Sequence, residues 1–156
     1  MEEMKGLTIR QPWATLIALG EKKLESRSRR THHRGIIAIH AGKQIDKNAY
    51  ERFAEVLKTY GIHSMNDLPV GVVVATAEIK RCHEIVEDYK EYALSNQDVV
   101  IDGREYQYGF YEKGRFGWEL DNVYALPEPI PAKGQLGLWG WQIPEEIQAF
   151  ISKSCS

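Results

Sequence analysis

The chain has 156 residues, of which 43% are hydrophobic and 27% charged, and this predicts a single globular domain spanning residues 1–156. The formal net charge of −2 argues against a generic nucleic-acid coat protein. The charge is uneven, because residues 22–34 hold six cations and one carboxylate, which leaves −7 for the rest of the chain. This segregation predicts a local anion site, with a solvated basic loop as the alternative.

The cysteines and the first residues of the chain indicate which cellular compartment and which cofactors to expect. Cys82 and Cys155 lie far apart and have no partner at zinc-ligand spacing, so neither a disulfide scaffold nor a metal site is expected. The adjacent His32 and His33 lack the spacing of a metal-binding pair. The acidic MEEMKG start is unlike a signal peptide, and no apolar stretch approaches the roughly 20 residues that cross a bilayer. We therefore expect a cytoplasmic protein without metal, cofactor or membrane anchor.

The first elements are a short strand, KGLTI (5–9), and a helix. Pro12 suits the first turn of this helix and Gly20 its left-handed end, with Leu16, Ile17 and Leu19 as the buried face.

From Lys23 the sequence pattern changes to period two. It predicts a strand with Lys23, Glu25 and Arg27 on one face. Lys22 joins that face only if a turn after Gly20 delays the strand.

The middle of the chain alternates strand and helix signals. RGIIAIHA (34–41) predicts a strand whose Ile37 and Ile39 face away from His40. A helix is predicted from Asp46 as N-cap to Gly61 as stop signal. Residues 69–85 follow as a central strand that is apolar on both faces.

The last third carries weaker signals. Residues 88–94 suggest a short helix, and residues 95–114 look like an insertion in which Asp102-Gly103 turns a hairpin. The aromatic residues of this insertion form a lid, a partner surface or local packing; they are Tyr106, Tyr108, Phe110 and Tyr111. Three strands are predicted at 115–120, 122–131 and 137–141, the middle one edge-like because of its prolines, and Pro144 begins a last helix. The pattern predicts an α+β fold: a small, mostly antiparallel β-barrel with flanking helices and a ligand cleft beside the first helix.

Four blocks in order carry a family resemblance. They are Gln11-Pro12-Trp13-Ala14, then Gly20-x-Lys22-x-x-Glu25-x-Arg27, then Arg34-Gly35 with IAIHA, and finally RFGWEL with PIPAKGQLGLW. From about residue 5 to 141, apart from the 95–114 insertion, the chain resembles the ASCH domain (activating signal cointegrator homology), whose fold is similar to the PUA domain. The resemblance implies a cleft that faces RNA, a nucleotide or a modified nucleoside.

Some family members are amidohydrolases that deacetylate N4-acetylcytidine, and others are ribonucleases. The amidohydrolases carry a Lys, a Thr three residues later and a more distant Glu. Lys22 matches the Lys, whereas Glu25 stands at the Thr position, and Glu78 and Glu119 are the strand-borne candidates for the distant Glu. If catalysis occurs, Glu25 is the natural base for a water, with Lys22 and Arg27 stabilising an oxyanion or a phosphate.

The candidate ligand-binding residues are Trp13, Lys22, Glu25, Arg27, Arg34 and His40. Trp13 suits base stacking or an ordinary core position, and His40 suits a ligand contact or a structural role. The alternative for the charged residues is an exposed ion-pair row worth under about 1 kcal/mol. RNA or nucleotide binding is the first hypothesis, hydrolysis of an acylated nucleoside or of RNA the second, and a protein-interaction module the third.

Overall fold

The structure, a computed structural model, describes residues 2–148 and 151. Its strands are β1 (Glu3–Gln11), β2 (Leu24–Arg27), β3 (Gly35–Ile45), β4 (Val72–Asp88), β5 (Ala93–Ser95), β6 (Val100–Ile101), β7 (Phe116–Pro131) and β8 (Leu138–Gln142). Its helices are α1 (Trp13–Ala18), α2 (Lys47–Arg52), α3 (Ala54–Thr59) and α4 (Gly103–Gln107), with a 3-10 turn at Met65–Asp67. Residues 145–148 are helical, as predicted after Pro144. No helix in the described ranges is both long and apolar enough to span a membrane.

The strands form one mixed sheet in the order β2-β7-β4-β3-β1-β8, and β5 and β6 extend it from β4. Only β1 and β3 pair in parallel, so the prediction of a mostly antiparallel sheet is confirmed. The path has two ends, β2 and β8, and does not close, so the predicted barrel is not confirmed. At the β2 end, the segment around α4 contacts the strand edge where closure would need another strand.

The main core lies between the sheet and α1. Ile37 and Ile39 are buried there as predicted, together with Ala14 and Ile17 of the helix. A second core on the opposite face holds Trp139, with Ala38 and Val73. The predicted central strand is confirmed, because β4 pairs with β3 on one side and β7 on the other. The prediction that Leu19 is buried is wrong, because this residue caps α1 and is 37% exposed.

The helix predicted from Asp46 to Gly61 is interrupted at Phe53. Asp46 caps α2 by accepting a hydrogen bond from the N–H of Ala49, and Gly61 takes a φ of 84° after α3. Phe53 has non-helical angles between the two helices, and its ring packs edge-on against Trp13 and Tyr108. Helical periodicity carries no information about this tertiary packing, so the sequence predicted one helix.

Two predictions, one just before the insertion and one within it, were wrong. Residues 88–94 form a turn rather than a helix, because Lys90 has a left-handed φ of 73° and the chain returns along β4 as β5. Asp102-Gly103 makes no hairpin; Asp102 instead precedes α4.

Near the C-terminus, the two strands predicted at 115–120 and 122–131 are one continuous strand, β7. Register shifts against β4 absorb the irregular middle of the strand. Asn122, with a φ of 49°, marks the point that the sequence suggested as a break. Of the two cysteines, Cys155 lies outside the described residues, whereas Cys82 is buried and free.

Candidate functional site

Lys22, Glu25 and Arg27 lie together around the short strand β2. The Arg27 Nε and Nη2 atoms are both 2.9 Å from the Glu25 Oε2 atom, and Lys22 Nζ is 3.9 Å from Oε1. The strand begins only at Leu24, after Gly20 has turned the chain with a φ of 77°. Lys22 is therefore outside the strand alternation and reaches the carboxylate, as the delayed-strand expectation required.

Lys22 is almost fully buried, with 1% of its surface exposed. Its Nζ donates hydrogen bonds to the carbonyl oxygens of Leu24 and Tyr108, and it lies 5.7 Å from the centre of the Trp13 ring. Burial lowers the pKa of Lys22, and the carboxylates of Glu25 and Glu105 oppose this effect. The amine thus binds two chain segments together.

A cavity of about 570 Å³ opens beside this cluster. Trp13, Glu25 and Arg27 line it, and Lys22 contacts this wall from the buried side. The other lining residues are Thr8, Ile9, Arg10, Ser26, Ser28, Asp46, Arg52, Gln107, Tyr108, Gly109, Phe110 and Arg115. Four arginines and two carboxylates therefore meet in one cavity, which is an environment for an anion.

Three of the four arginines donate hydrogen bonds to backbone carbonyl groups of the cavity wall. Arg27 donates to the Thr8 oxygen at 3.1 Å, Arg52 to the Gln107 oxygen at 3.2 Å, and Arg115 to the Phe110 oxygen at 2.9 Å. Arg10 lies exposed on β1. A guanidinium has five N–H donors, so each arginine keeps donors for a ligand after these bonds.

Aromatic side chains lie at the floor and the rim of the cavity. Trp13 packs edge-on against Phe53 and Tyr108 at ring distances of 5.8 and 6.1 Å. Phe110 is 57% exposed, and the Arg115 guanidinium lies 4.7 Å from its ring centre. An exposed ring with a cation beside it provides a stacking surface for a nucleobase.

The structure places Arg34 and His40 away from this cavity. Arg34 is exposed and donates to the carbonyl oxygens of Thr31 and His33 in its own loop. His40 lies at a second cavity, where its ring nitrogens contact Thr8 Oγ1 and the Ala132 oxygen. Of the six candidate ligand residues, the cluster around Glu25 therefore brings together four.

Neither candidate for the distant Glu lines the cavity. Glu119 pairs with Leu24 across the β2–β7 ladder, so its side chain leaves the sheet on the face opposite Glu25. There its carboxylate contacts His83 and Arg81. Glu78 lies on β4, opposite Asp121 of β7. The second carboxylate of the cavity is Asp46, which the sequence marked only as a helix cap.

His83 also joins Ser95 and Glu119 in an arrangement that resembles a hydrolase triad. His83 Nδ1 is 3.1 Å from Ser95 Oγ, and Nε2 is 2.8 Å from Glu119 Oε1. Ser95 Oγ also accepts hydrogen bonds from the backbone of Gln97 and Val99, and both Ser95 and His83 are buried. The hydroxyl is thus a turn-forming group with no access for a substrate. Among the described residues, no group of three His, Cys, Asp or Glu side chains could hold a metal ion.

Sequence reasoning missed much of the cavity. Arg10, Arg52 and Arg115 come from three distant segments, and residues 107–110 of the insertion form one wall. The only sequence signal was the concentration of aromatic residues in the insertion. The basic run at 22–34 was misleading in part, since Arg30 pairs with Glu84 on the surface.

The comparisons agree with this architecture. The family model of the ASCH domain matches residues 7–129, so the chain belongs to the ASCH domain family. The fold is similar to that of a solved structure described as the crystal structure of ASCH from Zymomonas mobilis. The two share 18% identity and a TM-score of 0.51 over 95% of this chain and 93% of that chain. No curated protein matches the sequence.

Proposed function

We propose that the cavity beside β2 binds RNA or a nucleotide. The observation that carries this proposal is the meeting of four arginines with an exposed aromatic ring in a cavity of about 570 Å³. Pockets of roughly 300–1,000 Å³ hold small ligands of nucleotide size. Guanidinium groups suit phosphate, because they offer paired donors in a plane.

The residues that line the cavity have different roles in the proposed binding. Arg52 and Arg115 bind phosphate, and Phe110 stacks on a base. Glu25 accepts hydrogen bonds from a base amine or a ribose hydroxyl, while Arg27 orients the Glu25 carboxylate. Trp13 packs against its aromatic neighbours and supports the floor.

The test is a titration with a short unstructured RNA at about 50 mM salt, where phosphate contacts are strongest. We expect Arg52→Gln to weaken binding about tenfold and to make the salt dependence shallower by about 0.7 in log–log slope. Lys58→Gln is the matched control, because it removes an exposed cation from the neighbouring helix. Absence of RNA and nucleotide binding at low salt overturns the proposal, as does equal weakening by the control.

Hydrolysis of an acylated nucleoside is the second candidate, supported by the 3.9 Å approach of a buried lysine to Glu25 in the cavity wall. Glu25 would take a proton from a water that attacks the acyl carbon. Arg27 would stabilise the resulting oxyanion, and the protonated Glu25 would pass its proton to the leaving nitrogen as the C–N bond breaks, which releases the carboxylic acid and the nucleoside amine.

Acetate release from N4-acetylcytidine, followed by proton NMR, tests this candidate. We expect turnover by the wild type and by Glu112→Gln, an exposed carboxylate control, and none by Glu25→Gln. Absence of turnover by the wild type removes this substrate and leaves the binding proposal intact.

A further inference from the structure

A second and larger cavity of about 1000 Å³ lies beside the arginine cavity. Thr8 lines both cavities. The remaining lining residues come from β3, from Gly71 just before β4, and from residues 131–136 at the end of β7 and in its connection to β8.

The two cavities adjoin along β1, between Thr8 and Arg10. Thr8 and Arg10 are two residues apart on this strand, so their side chains share a face. Thr8 is directly opposite His40 in the parallel β1–β3 ladder, and Arg10 lies further along, at the arginine cavity. The backbone oxygen of Thr8 accepts the hydrogen bond from Arg27. Thr8 is therefore the point at which the cavities join.

The second cavity carries cations with no carboxylate partner. Lys43 and Lys133 are both exposed, and neither forms an ion pair within the part of the chain that the structure describes. Together the two cavities hold six lysines and arginines against Glu25 and Asp46. This balance of +4 leaves −6 for the remainder of a chain whose net charge is −2. A continuous positive path on an otherwise acidic protein fits a polyanion.

The polar groups of the wall between Lys43 and Lys133 already have hydrogen-bond partners. Trp139 Nε1 donates to Thr8 Oγ1, Thr8 Oγ1 contacts His40 Nδ1, and His40 Nε2 contacts the Ala132 oxygen. A Cβ atom added at Gly134 would come within 2.4 Å of Thr8 Oγ1, so the connection lies directly on this wall. His40 thus positions the wall, and Lys43 and Lys133 remain as the groups for a ligand.

We propose that the two cavities form one groove for single-stranded RNA, in which Lys43 and Lys133 bind phosphates adjoining the nucleotide held by the arginines. This inference rests on the proposed function and extends it from a nucleotide to an oligonucleotide. The exposed Leu136, beside Pro131, gives the second cavity an apolar rim against which a base can pack.

The test compares uridine monophosphate with oligouridylates of increasing length, bound to the wild type and to the double variant Lys43→Gln/Lys133→Gln. For the wild type we expect affinity to rise with length. For the double variant we expect about a tenfold loss with the octamer, a log–log salt slope shallower by about 1.4, and unchanged affinity for the monophosphate. The control is Lys58→Gln/Lys80→Gln, which removes two exposed cations outside both cavities.

The outcomes separate this inference from the function on which it rests. If the wild type binds the monophosphate and the octamer equally tightly, the groove is wrong and the nucleotide site stands. An equal loss for both ligands in the double variant, or no loss at all, also overturns the groove. If the wild type binds neither ligand, both proposals fail.

Discussion

Glu25 is the carboxylate on which two cations of different burial depend. Its side chain is 10% exposed, compared with 2% for Lys22 and 29% for Arg27. A buried charge that loses its nearest partner is costly, because water does not replace that partner. The three residues therefore contribute unequally to the stability of the fold, although the sequence presents them as one motif.

We expect Glu25→Gln to lower the free energy of unfolding by about 3 kcal/mol at neutral pH. Lys22 must then remain charged without its carboxylate or give up its proton, and both cost free energy. Arg27→Gln should cost under about 1 kcal/mol, since the guanidinium is partly exposed to water. Urea unfolding measures both values, with Glu112→Gln as an exposed control. Equal effects of the two variants would show that Lys22 does not depend on Glu25.

At the scale of elements, the segment around α4 covers the free edge of β2. The Glu105 carboxylate accepts hydrogen bonds from the backbone N–H groups of Lys23 and Leu24, at 2.8 and 3.2 Å. Further along, Ser26 Oγ accepts from the N–H of Phe110 at 3.0 Å. An uncovered strand edge exposes unpaired backbone groups, and this segment pairs two of them. The insertion therefore holds the strand that carries Glu25 and Arg27.

We expect Glu105→Ala to open this edge without unfolding the sheet. Amide hydrogen exchange at Lys23 and Leu24 should become roughly tenfold faster or more, because the carboxylate that accepts both N–H groups is gone. Exchange in the parallel β1–β3 ladder should not change. Hydrogen exchange followed by NMR measures both regions, and Glu112→Ala is the control. Uniform acceleration across the sheet would contradict a local role.

At the scale of the whole molecule, tyrosines that are buried or hydrogen-bonded make the stability depend on alkaline pH. The hydrogen bond from Tyr106 to Asp88 raises the pKa of Tyr106 to about 12. Burial and the Glu21 carboxylate raise the pKa of Tyr108, and burial raises that of Tyr111. In each case the folded state retains a proton that the unfolded state loses near pH 10. Lys22 acts in the opposite direction, since its lowered pKa makes the unfolded state bind more protons.

We expect the free energy of unfolding to fall as pH rises above about 10.5, because the unfolded tyrosines then lose protons that the folded state keeps, whereas the effect of Lys22 is complete near its ordinary pKa of 10.5. The contribution of Tyr106 is fully present below its ordinary pKa of 10.0 and is lost as pH rises through about 12. Tyr106→Phe should therefore be less stable than the wild type at about pH 8, and the difference should shrink at about pH 11. Urea unfolding at both values measures this. A difference that stays constant with pH would show that the phenol does not titrate differently on folding.

The sequence by itself determined the features that depend on near neighbours. The period-two pattern of Ile37 and Ile39, the Asp46 cap and the positive φ of Gly20 all follow from local geometry, and all are confirmed. The sequence also predicted Glu25 and Arg27 on one face of a strand, but left the approach of Lys22 dependent on a turn after Gly20. Side chains two to five residues apart can meet through the turn and strand that connect them.

The tertiary structure alone decided the open sheet, the break at Phe53 and the composition of the cavities. Arg10, Arg52 and Arg115 come together only because β1, α2 and the start of β7 meet beside the insertion. No local pattern marks this meeting, since each arginine looks like an ordinary surface residue in its own segment. The free-energy minimum of the whole chain decides which distant segments pack together, whereas hydrophobic periodicity reports only which face of an element is buried.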